Sequence, residues 1–156
     1  MKTFIYADPH FGHENIIKYT GRPFKDVEEM NITLIKNYNE VVSDDDEVYF
    51  LGDVALYDAA KFVAQLKGKK ILILGNHDRR RKITYWKKAG FKEVYKKPFR
   101  LNNKYILSHE PLTDLEDFIN IHGHIHEKEM GEDSYICACV EHTDYKPILL
   151  EELINK

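Results

Sequence analysis

Five apolar runs in this sequence end in turns that carry metal-competent side chains: Asp8 with His10, Asp53, Asn76 with His77, His109, and His124 with His126. Asp8 and His10 are two residues apart, as are His124 and His126, so from an extended strand end both members of each pair can point the same way. A carboxylate and an imidazole converging in this manner form half of a divalent metal site. An isolated Asp-x-His is an ordinary strand end. Recurrence at five strand ends is what gives the pattern weight, because catalytic sites are commonly assembled from loops on a rigid scaffold.

The elements that must position these residues follow from the periodicity. Residues 2–7, 47–51 and 70–74 read as buried strands. The third stops abruptly at Gly75-Asn76-His77-Asp78, beyond the carboxyl end of a strand, where open α/β sheets bind ligands. Residues 26–42 keep an apolar stripe at three- to four-residue spacing behind an Asp26-x-x-Glu29 capping pattern, which predicts a helix. Helices are also expected over 59–66 and 83–89, closed by Gly68 and Gly90. From Phe91 the pattern changes to short strands at 91–95, 98–101, 104–108, 118–121, 135–140 and 147–150, with Asn102-Asn103 as a hairpin turn. Ser43-Asp44-Asp45-Asp46 reads as a solvated turn, since it lacks the spacing of a calcium loop.

At 156 residues and 43% hydrophobic content the chain is long enough for one core and short for two, so a single domain over 1–156 is expected. A net charge of −3 gives no electrostatic footprint for duplex nucleic acid. No apolar run approaches membrane-spanning length, and the stretch before Asp8 is too short for a signal-peptide core. Cys137 and Cys139 have a poor disulfide spacing, which favours a reduced, cytoplasmic setting.

Taken together, Asp8-x-His10, Gly52-Asp53, Gly75-Asn76-His77-Asp78, His109 and Gly123-His124-x-His126 are similar to the ordered motif set of calcineurin-like metallophosphoesterases. The stretch from Asp8 to Ile17 resembles small bacterial and phage members in particular. The resemblance implies an α/β fold of two packed mixed β-sheets flanked by helices. It also implies a dinuclear centre, with Asp8, His10 and His126 on one metal, Asn76, His109 and His124 on the other, and Asp53 between them. Oxygen and imidazole donors suit manganese first, with iron, zinc or nickel as alternatives. Such a centre generates a hydroxide nucleophile and clamps the phosphoryl oxygens of an in-line displacement. His77 matches the family's catalytic histidine, which stabilises the transition state or protonates the leaving oxygen. Asp78 either orients that turn or is purely structural.

One departure narrows the expectation. The protein Ser/Thr phosphatases extend their second block to Gly-Asp-x-x-Asp-Arg-Gly, whereas this chain reads Gly52-Asp53-Val54-Ala55-Leu56-Tyr57-Asp58. A compact phosphodiesterase-like hydrolase is therefore favoured over a phosphoprotein phosphatase, acting on phosphodiesters or phosphomonoesters, with nucleotides or single-stranded nucleic acid as candidate substrates. His13, Arg22 and Arg79 are candidate substrate-phosphate contacts, a guanidinium being suited to bidentate phosphate binding. His13 is equally a helix-start histidine, and His122 should face away from His124 by strand alternation. The competing class is a non-catalytic metal-binding scaffold on the same fold. A mononuclear hydrolase accounts less well for seven candidate ligands.

Overall fold

A computed structural model describes all residues, 1–156. The chain folds into two mixed β-sheets packed face to face, with helices on the outer side of the first and the last helix packed against the core between them. The first sheet has the order β4-β3-β2-β1-β9. Its strands β1 (Thr3–Tyr6), β2 (Glu47–Phe50), β3 (Lys69–Ile73) and β4 (Glu93–Tyr95) run parallel, and β9 (Ile148–Leu149) lies antiparallel to β1. The second sheet has the order β5-β6-β7-β8. Here β5 (Phe99–Arg100) is antiparallel to β6 (Tyr105–Leu107), while β6, β7 (Ile119–His122) and β8 (Tyr135–Cys137) are parallel.

Strand alternation divides the core. Phe4, Tyr6, Val48, Phe50, Leu72 and Leu74 point to the helices, where they meet Ile16, Met30, Leu34, Tyr38, Phe62 and Trp86. Their neighbours Ile5, Ala7, Tyr49, Leu51, Ile71 and Ile73 point the other way, against Tyr105, Leu107, Ile121 and Ala138 of the second sheet. A strand buried on both faces has no polar side to show, which is why these runs are continuously apolar in sequence. The helices are α1 (Asn15–Thr20), α2 (Val27–Val41), α3 (Ala59–Val63), α4 (Ile83–Ala89) and α5 (Leu150–Ile154).

Helix α2 starts as its sequence directs: the Asp26 side chain accepts from the Glu29 N–H at 2.8 Å. Glu29 reaches back to the Lys25 N–H at 3.3 Å rather than to Asp26, so the capping box is displaced by one residue. Helix α3 ends at Val63, three residues before the expected end. Two helices lie where none is expected. Helix α1 is only six residues long, too short for a periodic stripe, and is closed by Gly21 in the left-handed conformation at φ 65°. Helix α5 replaces the expected continuation of the last strand, and Leu153 packs between the sheets. Strand β4 joins the first sheet, not the strand-rich half to which the sequence pattern assigned it.

The Ser43–Asp46 turn is also less solvated than expected. Asp46 is buried and accepts from the Ser43 N–H at 2.8 Å and the Lys2 N–H at 2.9 Å, tying the start of β1 to the turn before β2. Those bonds hold its carboxyl below the ordinary value. A depressed carboxyl stabilises the fold above its unfolded pKa, about 4, and that contribution fades as pH falls through the folded value. An Asp46→Asn variant should therefore be less stable than wild type to urea at pH 7, with the gap closing below about pH 4. A gap independent of pH would show that the carboxylate charge is not what these bonds require.

Candidate metal centre

The topology sets the site. Because β1, β2 and β3 are parallel and in register, with Tyr6 beside Phe50 and Phe50 beside Leu72, their carboxyl ends finish side by side. The Asp8 N–H donates to Gly52 O at 3.1 Å and the His10 N–H to Asp53 O at 3.1 Å, so the pairing continues past the strands. The carboxyl ends of β6 and β7 arrive at the same place: the Gly123 N–H donates to His109 O at 2.8 Å, and a parallel bridge joins Ala7 to Cys139.

Two groups of side chains converge there. Asp8, His10 and His126 each offer one ligand atom within 4.8 Å of the others, and so do Asp53, His109 and His124. Asp53 lies between the groups: its Oδ2 is 3.5 Å from His10 Nε2 and 3.3 Å from His109 Nε2. Asn76 Oδ1 is 2.8 Å from His109 Nε2, which also faces His124 Nδ1 at 3.1 Å. All seven expected ligands are thus brought together, and His77 stands over them with its Nε2 3.9 Å from Asp53 Oδ2 and its ring about a third exposed.

Several features fit this pocket to cations. Asp8 Oδ1 and His10 Nε2 are buried without any hydrogen-bond partner. Buried polar atoms are normally satisfied, and orphans of this kind point to a missing ion or water. The His109 Nδ1 lies 2.7 Å from Leu51 O, and a proton shared there leaves the Nε2 lone pair for a metal. Five of the seven candidate ligands (Asp8, His10, Asp53, His124 and His126) have φ between 51° and 72°. That left-handed region is unfavourable for residues with a Cβ, and such strain concentrates at functional sites. The glycines before the ligands have a steric reason: a Cβ at Gly123 would collide with Asp8 Oδ2, and one at Gly75 with Asp53 Oδ1.

The charge balance points the same way. Burial works against the Asp53 charge, but the His109 hydrogen bond and the neighbouring His109, His10 and His77 charges outweigh it and hold its carboxyl below the ordinary range. Burial works against a charged His109, yet Asp8 and Asp53 push its imidazole up to about 9. Burial dominates at His10 and lowers it. The two carboxylates therefore draw positive charge to His109 but not to the more deeply buried His10, and divalent cations would satisfy the same carboxylates.

Asp78 resolves into a structural pin. Its Oδ2 accepts from the Asp53 N–H at 2.7 Å and the Gly75 N–H at 2.8 Å, and its Oδ1 from the Val54 N–H at 3.1 Å. One carboxyl thus binds the Gly52-Asp53 and Gly75-Asn76 turns together. Burial and the Asp53 charge push it up to about 7 despite those three donors. Asn120, which sequence pattern did not single out, braces the His109 turn by donating to Ser108 Oγ at 2.9 Å and accepting from the Leu112 N–H at 2.9 Å.

The three expected substrate contacts part company. His13 is half-buried, with its Nδ1 3.2 Å from His10 Nδ1, beside both His10 and His77. Arg79 is exposed and paired with Glu110 at 2.7 Å. Arg22, expected at a substrate phosphate, is instead buried, and its guanidinium donates to Pro9 O and Asp8 O at 2.7 Å and to Glu141 at 2.9 Å. It braces the Asp8–His10 turn from behind and offers nothing to a substrate. His122 is buried, and it faces Gly123 O rather than the centre.

Removing the Asp78 carboxyl leaves three buried N–H groups without an acceptor, each costing about 1–3 kcal/mol. Asp78→Ala should therefore lose at least about 3 kcal/mol in urea denaturation, and Asp78→Asn, which keeps one acceptor oxygen, distinctly less. Equal losses for the two would show that the hydrogen bonds are not what matters.

Comparison with known proteins agrees with this geometry. The family model for the calcineurin-like phosphoesterases matches residues 1–150. An uncharacterized protein of Methanocaldococcus jannaschii is 37% identical over 170 aligned positions, spanning 99% of this chain and 90% of that protein. The Gene 66 protein of Mycobacterium phage L5 is 37% identical over 82 positions, 49% of this chain and 39% of its own length. The crystal structure of a protein of unknown function from Aquifex aeolicus superposes with a TM-score of 0.77 at 30% identity, covering 99% of this chain and 98% of its own. With its two packed mixed sheets and the motif-bearing turns at their common end, the chain belongs to the calcineurin-like phosphoesterase family.

Proposed function

We propose that this protein is a metal-dependent phosphoesterase that hydrolyses phosphodiesters at a centre of two divalent cations, manganese being the first candidate and iron, zinc or nickel the alternatives. The observation that carries the reading is the placement of His77: an imidazole at the mouth of the pocket, 3.9 Å from the carboxylate that stands between the two ligand groups. Asp8, His10 and His126 would hold one cation and Asn76, His109 and His124 the other, with Asp53 shared. Bound there, the cations would supply Lewis acidity and lower the pKa of the attacking water.

The chain's own residues do the rest. His77 gives a proton to the leaving oxygen or stabilises charge as it develops there. Its N–H donates to Asp53 Oδ1 at 3.1 Å, which fixes the turn against the centre. Substrate selection favours a diester over a compact monoester because the mouth is open. Asn76 is exposed, and a groove of about 330 Å³ runs from His109 past Arg79 and Lys96. The groove would suit the second arm of a phosphodiester, as in a nucleotide or single-stranded nucleic acid. The free Cys137 and Cys139 are in keeping with work in the cytoplasm. No helix is long and apolar enough to cross a membrane.

Hydrolysis of bis-p-nitrophenyl phosphate by the metal-stripped protein, with Mn²⁺ added back, tests the reading. Activity should return with metal, and His77→Ala should lower kcat by about 10²-fold or more while metal binding persists. Two bound equivalents with no hydrolysis of any phosphoester would replace the enzyme by a metal-binding scaffold.

A further inference from the structure

We infer that Glu141 is the positioning residue for one half of the centre, orienting His126 through a carboxylate–imidazole contact that Arg22 in turn locks in place. The inference rests on the reading that Asp8, His10 and His126 hold one cation. Glu141 lies in the 3-10 turn Val140–His142 after β8, outside every motif of the sequence, yet its side chain is 4% exposed. Its Oε2 is 3.3 Å from His126 Nδ1 and accepts from Arg22 Nε at 2.9 Å.

The direction of the contact follows from charge. A carboxylate facing Nδ1 keeps the proton on that nitrogen, which leaves the His126 lone pair on Nε2 and makes it a stronger donor. Arg22 fixes the carboxylate in turn. Its guanidinium donates to Glu141, Pro9 O, Asp8 O and, at 3.6 Å, Met30 Sδ, and a second nitrogen lies 2.9 Å from Glu141 Oε2. The same guanidinium therefore holds the backbone of Asp8 and, through Glu141, the ring of His126, two ligands that are 118 residues apart in the sequence.

The other half of the centre is held differently. His109 Nδ1 has a backbone carbonyl, Leu51 O, at 2.7 Å as its nearest partner, with Asp8 Oδ1 farther off at 3.8 Å. Removing the Glu141 charge should therefore disturb one cation and spare the other. The ligand atoms of His126, Cys139 and Glu141 also lie within 4.8 Å of one another, which allows a competing role for Glu141 as a direct ligand. Against it, Glu141 Oε2 is already engaged by Arg22, and Cys139 Sγ donates to Asp8 Oδ2 at 3.4 Å. Glu141 Oε1 and His126 Nδ1 both lack a hydrogen-bond partner, so the Glu141–His126 contact is an ion-pair approach at 3.3 Å and not a formed hydrogen bond.

Calorimetric titration of the metal-stripped full chain with Mn²⁺ separates these roles. Wild type should take up two equivalents. Glu141→Gln should weaken one of them by about 10–100-fold, leave the other unchanged, and add nothing further in a His126→Ala background. A second readout needs no variant: imidazole ¹⁵N shifts of the Zn²⁺-loaded wild type should show His126 protonated on Nδ1. Unchanged affinities in Glu141→Gln, a proton on Nε2, or a third equivalent lost with Glu141 would each overturn the positioning role. No metal uptake by wild type would instead remove the centre itself, and the proposal with it.

Discussion

Two buried carboxylates set the terms for this molecule. Asp8 and Asp53 are 0% and 3% exposed, and a buried charge is costly unless it is paired or coordinates a metal. Neither has a lysine or arginine side chain paired to its carboxylate; the groups facing them are His10, His77 and His109. A network of imidazoles around two carboxylates can be satisfied by protons or by cations, and the orphaned Asp8 Oδ1 and His10 Nε2 favour cations. Much of the surrounding structure keeps this arrangement from relaxing.

That resistance comes from the sheets and from the turns. Parallel strands in register deliver three turns of one sheet to the same edge, and the second sheet delivers two more. The left-handed backbone at five candidate ligands would be released if the turns were free. They are not free: Asp78 joins two of them from one side, and Arg22 holds the Asp8–His10 turn from behind. Strain held in this way preorganises ligands, because the side chains are already aimed before anything binds. The glycines beside them leave room where a Cβ would meet a ligand atom.

The sequence made the ligands legible and left their supports obscure, for a physical reason. Ligands sit at strand ends, where an apolar run breaks into polar residues, and that break is visible in one dimension. The long strands and α2 are likewise announced by periodicity. Arg22 read as a phosphate contact because an arginine after a glycine in a loop carries no sign of being buried. Glu141 gave no signal at all, since its partners lie 15 and 119 residues away. The short helices α1 and α5 have too few turns to show a stripe. The hairpin at Asn102-Asn103, by contrast, could be read locally, and Asn102 Oδ1 does accept from the Lys104 and Tyr105 N–H groups.

In the proposed centre Asp53 would be shared by two cations. Diffraction from crystals soaked in Mn²⁺, recorded near the manganese edge, tests it most directly. Two anomalous peaks about 3.5–4 Å apart are expected, one on each side of the Asp53 carboxylate. A single peak, or two that do not share Asp53, would contradict it.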